Sequence, residues 1–145
     1  MDWRKIAAED LRRYSGLCHA ASGLRSDVEA LSERLVGVKG MQFHANPTAD
    51  GGTSMEDHWI NLMVEIDRKK LQRKVNLHLI RRIERGLAAL SPAERDILER
   101  FYVTPSRDTV EGIMETLHCQ KSRVYQLKDE ALRKFTLHMY GLAES

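Results

Sequence analysis

Residues Leu90–Phe135 read LSPAERDILERFYVTPSRDTVEGIMETLHCQKSRVYQLKDEALRKF, and they contain the clearest helix start and turn signals of the chain. The stretch opens with Ser91-Pro92-Ala93-Glu94, in which serine caps a helix, proline suits the first helical position and glutamate returns a bond to the cap. That helix is expected to end before Thr104-Pro105, because a residue preceding proline avoids helical angles. Two more helical patterns follow, joined by His118-Cys119-Gln120. The stretch therefore predicts three helices, with a tight turn between the last two.

The two helices that flank the turn must each bury an apolar side against the other. We expect Asp108 or Thr109 to cap the first of them. Its inner face is predicted to be Val110, Ile113, Met114 and Leu117, and that of the second helix Val124, Leu127, Ala131 and Leu132. This spacing predicts a compact helical unit whose last helix leaves one edge exposed.

Polar and basic side chains line that exposed edge at the start of the last helix, namely Gln120, Lys121, Ser122, Arg123 and Gln126. Arginine can bond two acceptors of guanine in the major groove, and glutamine can do so with adenine. Tyr125 and Lys128, with Arg107 in the preceding loop, are assigned to phosphates, which helix N-terminal amides also favour. We predict that the helix from Gln120 docks in the major groove of duplex DNA. The alternative is that these are ordinary surface residues of a three-helix bundle.

The N-terminal part of the chain predicts two amphipathic helices. Residues 3–21 place apolar side chains at helical spacing, Ser22-Gly23 interrupts them, and Ser26 to Glu29 offers a capping box for a second helix. A heptad-like stripe follows, formed by Leu24, Val28, Leu31, Leu35 and Val38. We predict an antiparallel hairpin, whose stripe either buries against the same chain or forms a dimer surface. Residues 37–52 break every period and are predicted to be a loop. Phe43 and His44 are interpreted as its anchors, with contact to a partner as the alternative.

A long helix is expected to begin at the capping box Thr53 to Glu56 and to reach Ala89, because no proline appears before Pro92. Between residues 68 and 85 the chain has eight Lys or Arg and a single acid, Glu84. In the functional interpretation this basic block contacts DNA phosphates without discriminating sequence, through residues such as Arg73, Lys74 and Arg81. The alternative is a solvated helix face.

Composition limits the other possibilities. The net charge of the 145 residues is only +2, so the placement of the charges matters more than their sum. No apolar run is long enough for a membrane span and the first residues do not form a signal peptide, so we expect a cytoplasmic protein with no membrane partner. Cys18 and Cys119 imply no disulfide framework and fit no common zinc pattern. No nucleophile set or phosphate loop is apparent, so we expect no catalytic residues, no metal, no cofactor and no enzyme activity.

The segments LSPAERDILERFY (90–102) and VEGIMETLHCQKSRVYQLKDEALRKF (110–135) resemble the region-four domain of bacterial sigma factors, in the variant of phage ArpU/RinA-type late transcription regulators. The resemblance implies sequence-specific binding of double-stranded DNA and control of phage late or packaging genes in a bacterial cell. Two departures stand at the turn, where that family usually has glycine in place of His118 and Ser or Thr in place of Gln120.

The expected architecture is all-α, with an N-terminal helical hairpin, a long connecting helix and a C-terminal sigma region-four-like helix-turn-helix bundle. We divide the chain into an N-terminal helical region, 1–74, for oligomerisation or partner binding, and a DNA-binding domain, 75–145. The alternatives are an interaction protein that acts mainly through host RNA polymerase, and a DNA-packaging subunit of small-terminase type. A homodimer is a further expected form, because such motifs commonly bind paired half-sites.

Overall fold

A computed structural model describes residues 1–42 and 51–142, with side chains described outside 39–42 and 51–53. All regular structure in these ranges is helical, which confirms the all-α fold class. The helices are α1 (Trp3–Gln42), α2 (Gly51–Ala88), α3 (Pro92–Leu98), α4 (Thr109–Leu117) and α5 (Lys121–Tyr140), and a π-helical turn (Glu99–Val103) extends α3. None of these helices has both the length and the hydropathy needed to cross a membrane.

The first helix corrects the predicted N-terminal hairpin. α1 continues without interruption from Trp3 to Gln42, so Ser22-Gly23 is no break and Ser26 starts no new helix. A glycine inside a helix costs only about 1 kcal/mol relative to alanine. The flanking residue Ala21 is buried, and its carbonyl accepts a bond from Arg73 Nε at 3.3 Å. Tertiary contacts therefore hold the helix through its weak point.

Residues 18–77 form one compact unit, in which α1 pairs with α2. Arg73 reaches the carbonyl of Ala21, and Lys69 Nζ lies 3.4 Å from Asp27 Oδ2, so the residue numbers run in opposite directions. The pair is therefore antiparallel. Its core consists of buried Leu31, Val38, Leu62 and Ile66, with Val28, Leu35, Met55 and Trp59 packed against them. The heptad-like stripe of α1 thus buries within the chain, the first of its two predicted alternatives.

The long second helix is continuous over its 38 residues and spans about 57 Å at 1.5 Å per residue. It begins at Gly51, two residues before the predicted capping box. The predicted loop at 37–52 is wrong at both of its ends, because α1 includes residues 37–42 and α2 includes residues 51 and 52. The predicted anchors Phe43 and His44 lie outside the described residues.

Residues 1–17 and 78–145 form the second compact unit. Its main core joins the first turns of α1 to the end of α2 and to α5, through buried residues that include Leu11, Ile83, Leu98 and Phe135. A satellite core of Ile97, Ile113 and Val124 links α3, α4 and α5. The start of the chain therefore packs with the C-terminal residues, a grouping that differs from the sequence division at residue 74.

The start of α3 has the predicted capping box. Ser91 Oγ accepts from the Glu94 amide, and the Glu94 carboxylate accepts from the Ser91 amide. The π-helical turn ends at Val103, before Thr104-Pro105 as predicted. Asp108 occupies the N-cap position of α4 but makes no side-chain cap bond. The end of the π-helical turn and the N-cap at Asp108 thus set where α4 begins. The tight turn before α5 follows α4 directly.

Candidate nucleic-acid interface

The turn between α4 and α5 depends on a left-handed residue. His118 has φ 53° and ψ 47°, and it is the one non-glycine residue with positive φ in the described ranges. Its amide donates to the Met114 carbonyl, and the Cys119 amide approaches the same oxygen at 3.3 Å. Left-handed backbone costs a residue with a Cβ roughly 1–2 kcal/mol. The departure from glycine therefore leaves the turn intact but strained.

The start of α5 is held by its backbone alone. Gln120 is extended, with φ −87° and ψ 165°, and its side chain makes no cap bond. Its carbonyl accepts from the amides of Arg123 and Val124 at 3.0 and 3.1 Å. The first amides of α5 thus have no side-chain acceptor from Gln120, because glutamine lacks the short side-chain oxygen with which Ser or Thr caps a helix.

All five predicted base-reading residues, Gln120, Lys121, Ser122, Arg123 and Gln126, are exposed. Between them lies Val124, which is 0% exposed and anchors this edge in the satellite core. Arg123 Nη1 donates to Gln126 Oε1 at 3.3 Å and lies 3.9 Å from a Glu130 oxygen. The structure therefore places the five predicted residues on one exposed edge, where the Arg123 guanidinium is hydrogen-bonded to the Gln126 side-chain amide.

The aromatic residue Phe101 packs beside Tyr125 and Lys128, two of the residues predicted to contact phosphates. Its ring centroid lies 6.1 Å from that of Tyr125, and Lys128 Nζ lies 5.4 Å from each centroid. Cation–π contact of this kind favours the ammonium over the rings. Tyr125 is 40% exposed, whereas the Lys128 side chain is only 21% exposed. Lys128 therefore contributes positive charge beside the edge, while its ammonium also has an internal partner.

The other predicted phosphate residues differ in their surroundings. Arg107 and Arg81 are exposed in the same compact unit as α5. Arg73 and Lys74 belong to the other unit, and Arg73 is half-buried with its Nε on the Ala21 carbonyl. Arg73 thus has a structural contact that the pattern of basic residues did not reveal.

Sequence reasoning missed the side chains that brace the bundle. Arg100 bonds Asp96 at 3.3 Å and donates to Thr116 Oγ1 at 3.3 Å, joining the extension of α3 to α4. Lys134 Nζ lies 2.8 Å from Glu94 Oε2, which ties α5 to the start of α3. The capping box marked Glu94 in the sequence, but only the packing of α5 reveals its second partner.

Electrostatics around Glu94 agree with this bracing role. The hydrogen bond from Lys134 is the largest cause that lowers the pKa of Glu94, and bonds from Ser91 add to it. The same hydrogen bond raises the pKa of Lys134. One carboxylate therefore caps α3 and holds α5 at the same time.

Among the residues with described side chains, no three His, Cys, Asp or Glu lie close enough together to hold a metal ion. Both cysteines are free and half-buried. Comparison with protein-family models, curated proteins and solved structures finds no match to this chain. Its function has to be inferred from its own residues.

Proposed function

We propose that this chain is a sequence-specific duplex-DNA-binding transcription regulator that docks the start of α5 in the major groove. The observation that carries the proposal is the exposed edge Gln120, Lys121, Ser122, Arg123 and Gln126, placed on buried Val124 directly after a tight turn. All five side chains are polar, four of them are long, and they suit the donor and acceptor groups of base edges. Helix-turn-helix proteins read DNA in this way, because the N-terminal residues of their second helix contact base edges in the major groove.

Further support comes from the groups around this edge. The N-terminal amides of α5, exposed Tyr125 on the same helix and exposed Arg107 in the same compact unit all suit phosphate oxygens. From residue 108 to 135 the chain has five basic residues and five acids, so this segment supplies little net attraction to DNA by itself. The basic block at 68–85 is the proposed source of the remaining, sequence-independent affinity.

Selection from a random duplex library with the full chain tests the proposal, because it requires no known operator. The expected result is enrichment of one short motif. Arg123→Ala should relax the preference at one position of that motif, at a cost of about 1–3 kcal/mol for the preferred base. Arg107→Ala should weaken binding to all sequences and reduce the slope of log affinity against log salt by about 0.9.

A matched control is Arg25→Ala, which removes another exposed arginine, in the other compact unit, where it pairs with Glu29. It should leave the motif unchanged. Enrichment of no motif, or a motif unaltered by both Arg123→Ala and Gln126→Ala, would contradict the proposed reading edge.

The resemblance to phage ArpU/RinA-type regulators extends the proposal to the control of phage late or packaging genes in a bacterial cytoplasm. If the chain instead retains RNA polymerase in a pull-down without DNA and protects no site, the interaction-protein alternative is preferred. A ring-sized mass in light scattering would favour the DNA-packaging alternative.

A further inference from the structure

The outer face of α2 carries an exposed apolar stripe, consisting of Ile60, Met63, Val64, Leu71 and Val75. Their exposed fractions run from 36% to 62%, whereas Leu62 and Ile66 on the opposite side are buried against α1. At 3.6 residues per turn, residues 60, 64, 71 and 75 fall within about 60° of one another. An exposed apolar stripe on a helix that is already packed on its other side indicates an interaction surface.

Four residues of the stripe are spaced symmetrically, so that their separations are the same when counted from either end of α2. Residues 60, 64, 71 and 75 are separated by four, seven and four positions, so the pattern is centred between Asp67 and Arg68. A two-fold axis through this centre would place Ile60 of one copy level with Val75 of the other, and Val64 level with Leu71. A two-fold interface uses the same patch twice, and therefore needs this self-complementarity.

Charge changes sign at the same centre. Residues 53–67 contain four acids and no Lys or Arg, whereas residues 68–85 contain eight Lys or Arg and one acid. On the exposed surface, Glu56 and Asp57 represent the acidic half, and Lys70 and Lys74 the basic half. An antiparallel pair of α2 helices sets acid against base along its length, whereas a parallel pair would set like charges together.

We infer that α2 pairs antiparallel with α2 of a second copy of this chain, through the 60–75 stripe and about a two-fold axis at residues 67/68. The apolar contact extends about 22 Å along the helix, and the segregated charges set its direction. This dimer goes beyond the proposed DNA binding and does not depend on it. The surface differs from the α1 stripe, which is buried inside each copy.

Light scattering after size exclusion, without DNA, tests the pairing in the full chain. The wild type should show a mass approaching twice 16.7 kDa as concentration rises. Leu71→Gln should shift the protein to the monomer, because it places an amide in the stripe. The matched control Val36→Gln changes an apolar residue that is 72% exposed on α1, and it should leave the dimer intact. Circular dichroism should show the same helicity for all three proteins.

Cross-linking tests the direction, in a background of Cys18→Ala and Cys119→Ala. A mixture of the Val64→Cys and Leu71→Cys variants should form disulfide-linked dimers. Neither variant should do so alone, since like positions would be offset by about 10 Å, beyond the reach of a disulfide. Ready self-linking of each single variant would show a parallel pair and overturn the inference. A wild type that stays monomeric at every concentration, or a dimer that survives Leu71→Gln, would overturn it as well.

Discussion

At Gly86, the backbone of α2 packs tightly against side chains of α5. A Cβ built on this residue would lie 2.7 Å from Cε2 and 3.1 Å from Cδ2 of Phe135, and 3.2 Å from Cγ of Met139. Phe135 is 0% exposed in the main core, so its ring can give way only by displacing buried neighbours. We predict that Gly86→Ala destabilises the unit formed by residues 1–17 and 78–145.

The magnitude follows from two opposing effects. Forcing an extra carbon into a packed core typically costs about 1–3 kcal/mol. Replacing a helical glycine by alanine gains up to about 1 kcal/mol of helix propensity. Gly16 supplies a matched control in the same unit, because a Cβ there would meet nothing within 4 Å. Gly16→Ala should therefore stabilise by about 1 kcal/mol, and the difference between the two variants isolates the steric cost of about 1–3 kcal/mol.

Urea unfolding followed by far-ultraviolet circular dichroism measures both variants, with the midpoint shift converted at a common slope. A double-mutant cycle with Phe135→Leu identifies the clashing partner. The double variant should lose less stability than the sum of the two single variants, because the smaller leucine side chain leaves room for the new methyl group. If Gly86→Ala proved as stable as Gly16→Ala, the close approach of the two helices would be refuted.

Three further predictions concern the turn and two ionisable pairs. His118→Gly should stabilise by about 0.5–1 kcal/mol, because relief of left-handed strain of about 1–2 kcal/mol outweighs the added freedom of the unfolded chain; an unchanged urea midpoint would argue against the left-handed turn. Burial, and then the hydrogen bond to Asp10, raises the pKa of Tyr140 to about 12. Since this folded pKa lies above the ordinary 10, the contribution of Tyr140 to stability is complete below pH 10 and is lost as pH rises toward 12. In a titration followed by tyrosinate absorbance, the Tyr140→Phe variant should lack a late-titrating step. The pKa of Glu94 is lowered, so its contribution is present at neutral pH and is lost as pH falls through that lowered value; Lys134→Met should make unfolding in urea less dependent on acid pH, and equal acid dependence in both proteins would exclude the pair.

Much of the candidate interface could be predicted because its signals are local. The exposed edge from Gln120 to Gln126 follows from helical periodicity around Val124, and the capping box at Ser91 follows from four adjacent residues. Partners distant in sequence were not predictable. The contact of Arg73 with the Ala21 carbonyl depends on how two helices meet, and so does the position of Lys128 over the ring of Phe101.

Local signals in the sequence predict the helical class of the protein, the start of α3, the end of its π-helical extension and the turn at His118. They suffice because capping, proline geometry and apolar periodicity act over a few residues. Tertiary structure decided that α1 runs through Gly23 and pairs with α2, because the cost of one helical glycine is small beside the contacts that bury the faces of both helices. It also decided that Leu11 joins the core of α5, more than a hundred residues away. Apolar patterns specify which faces must be buried but leave the partner open, and that choice is made only when the helices pack.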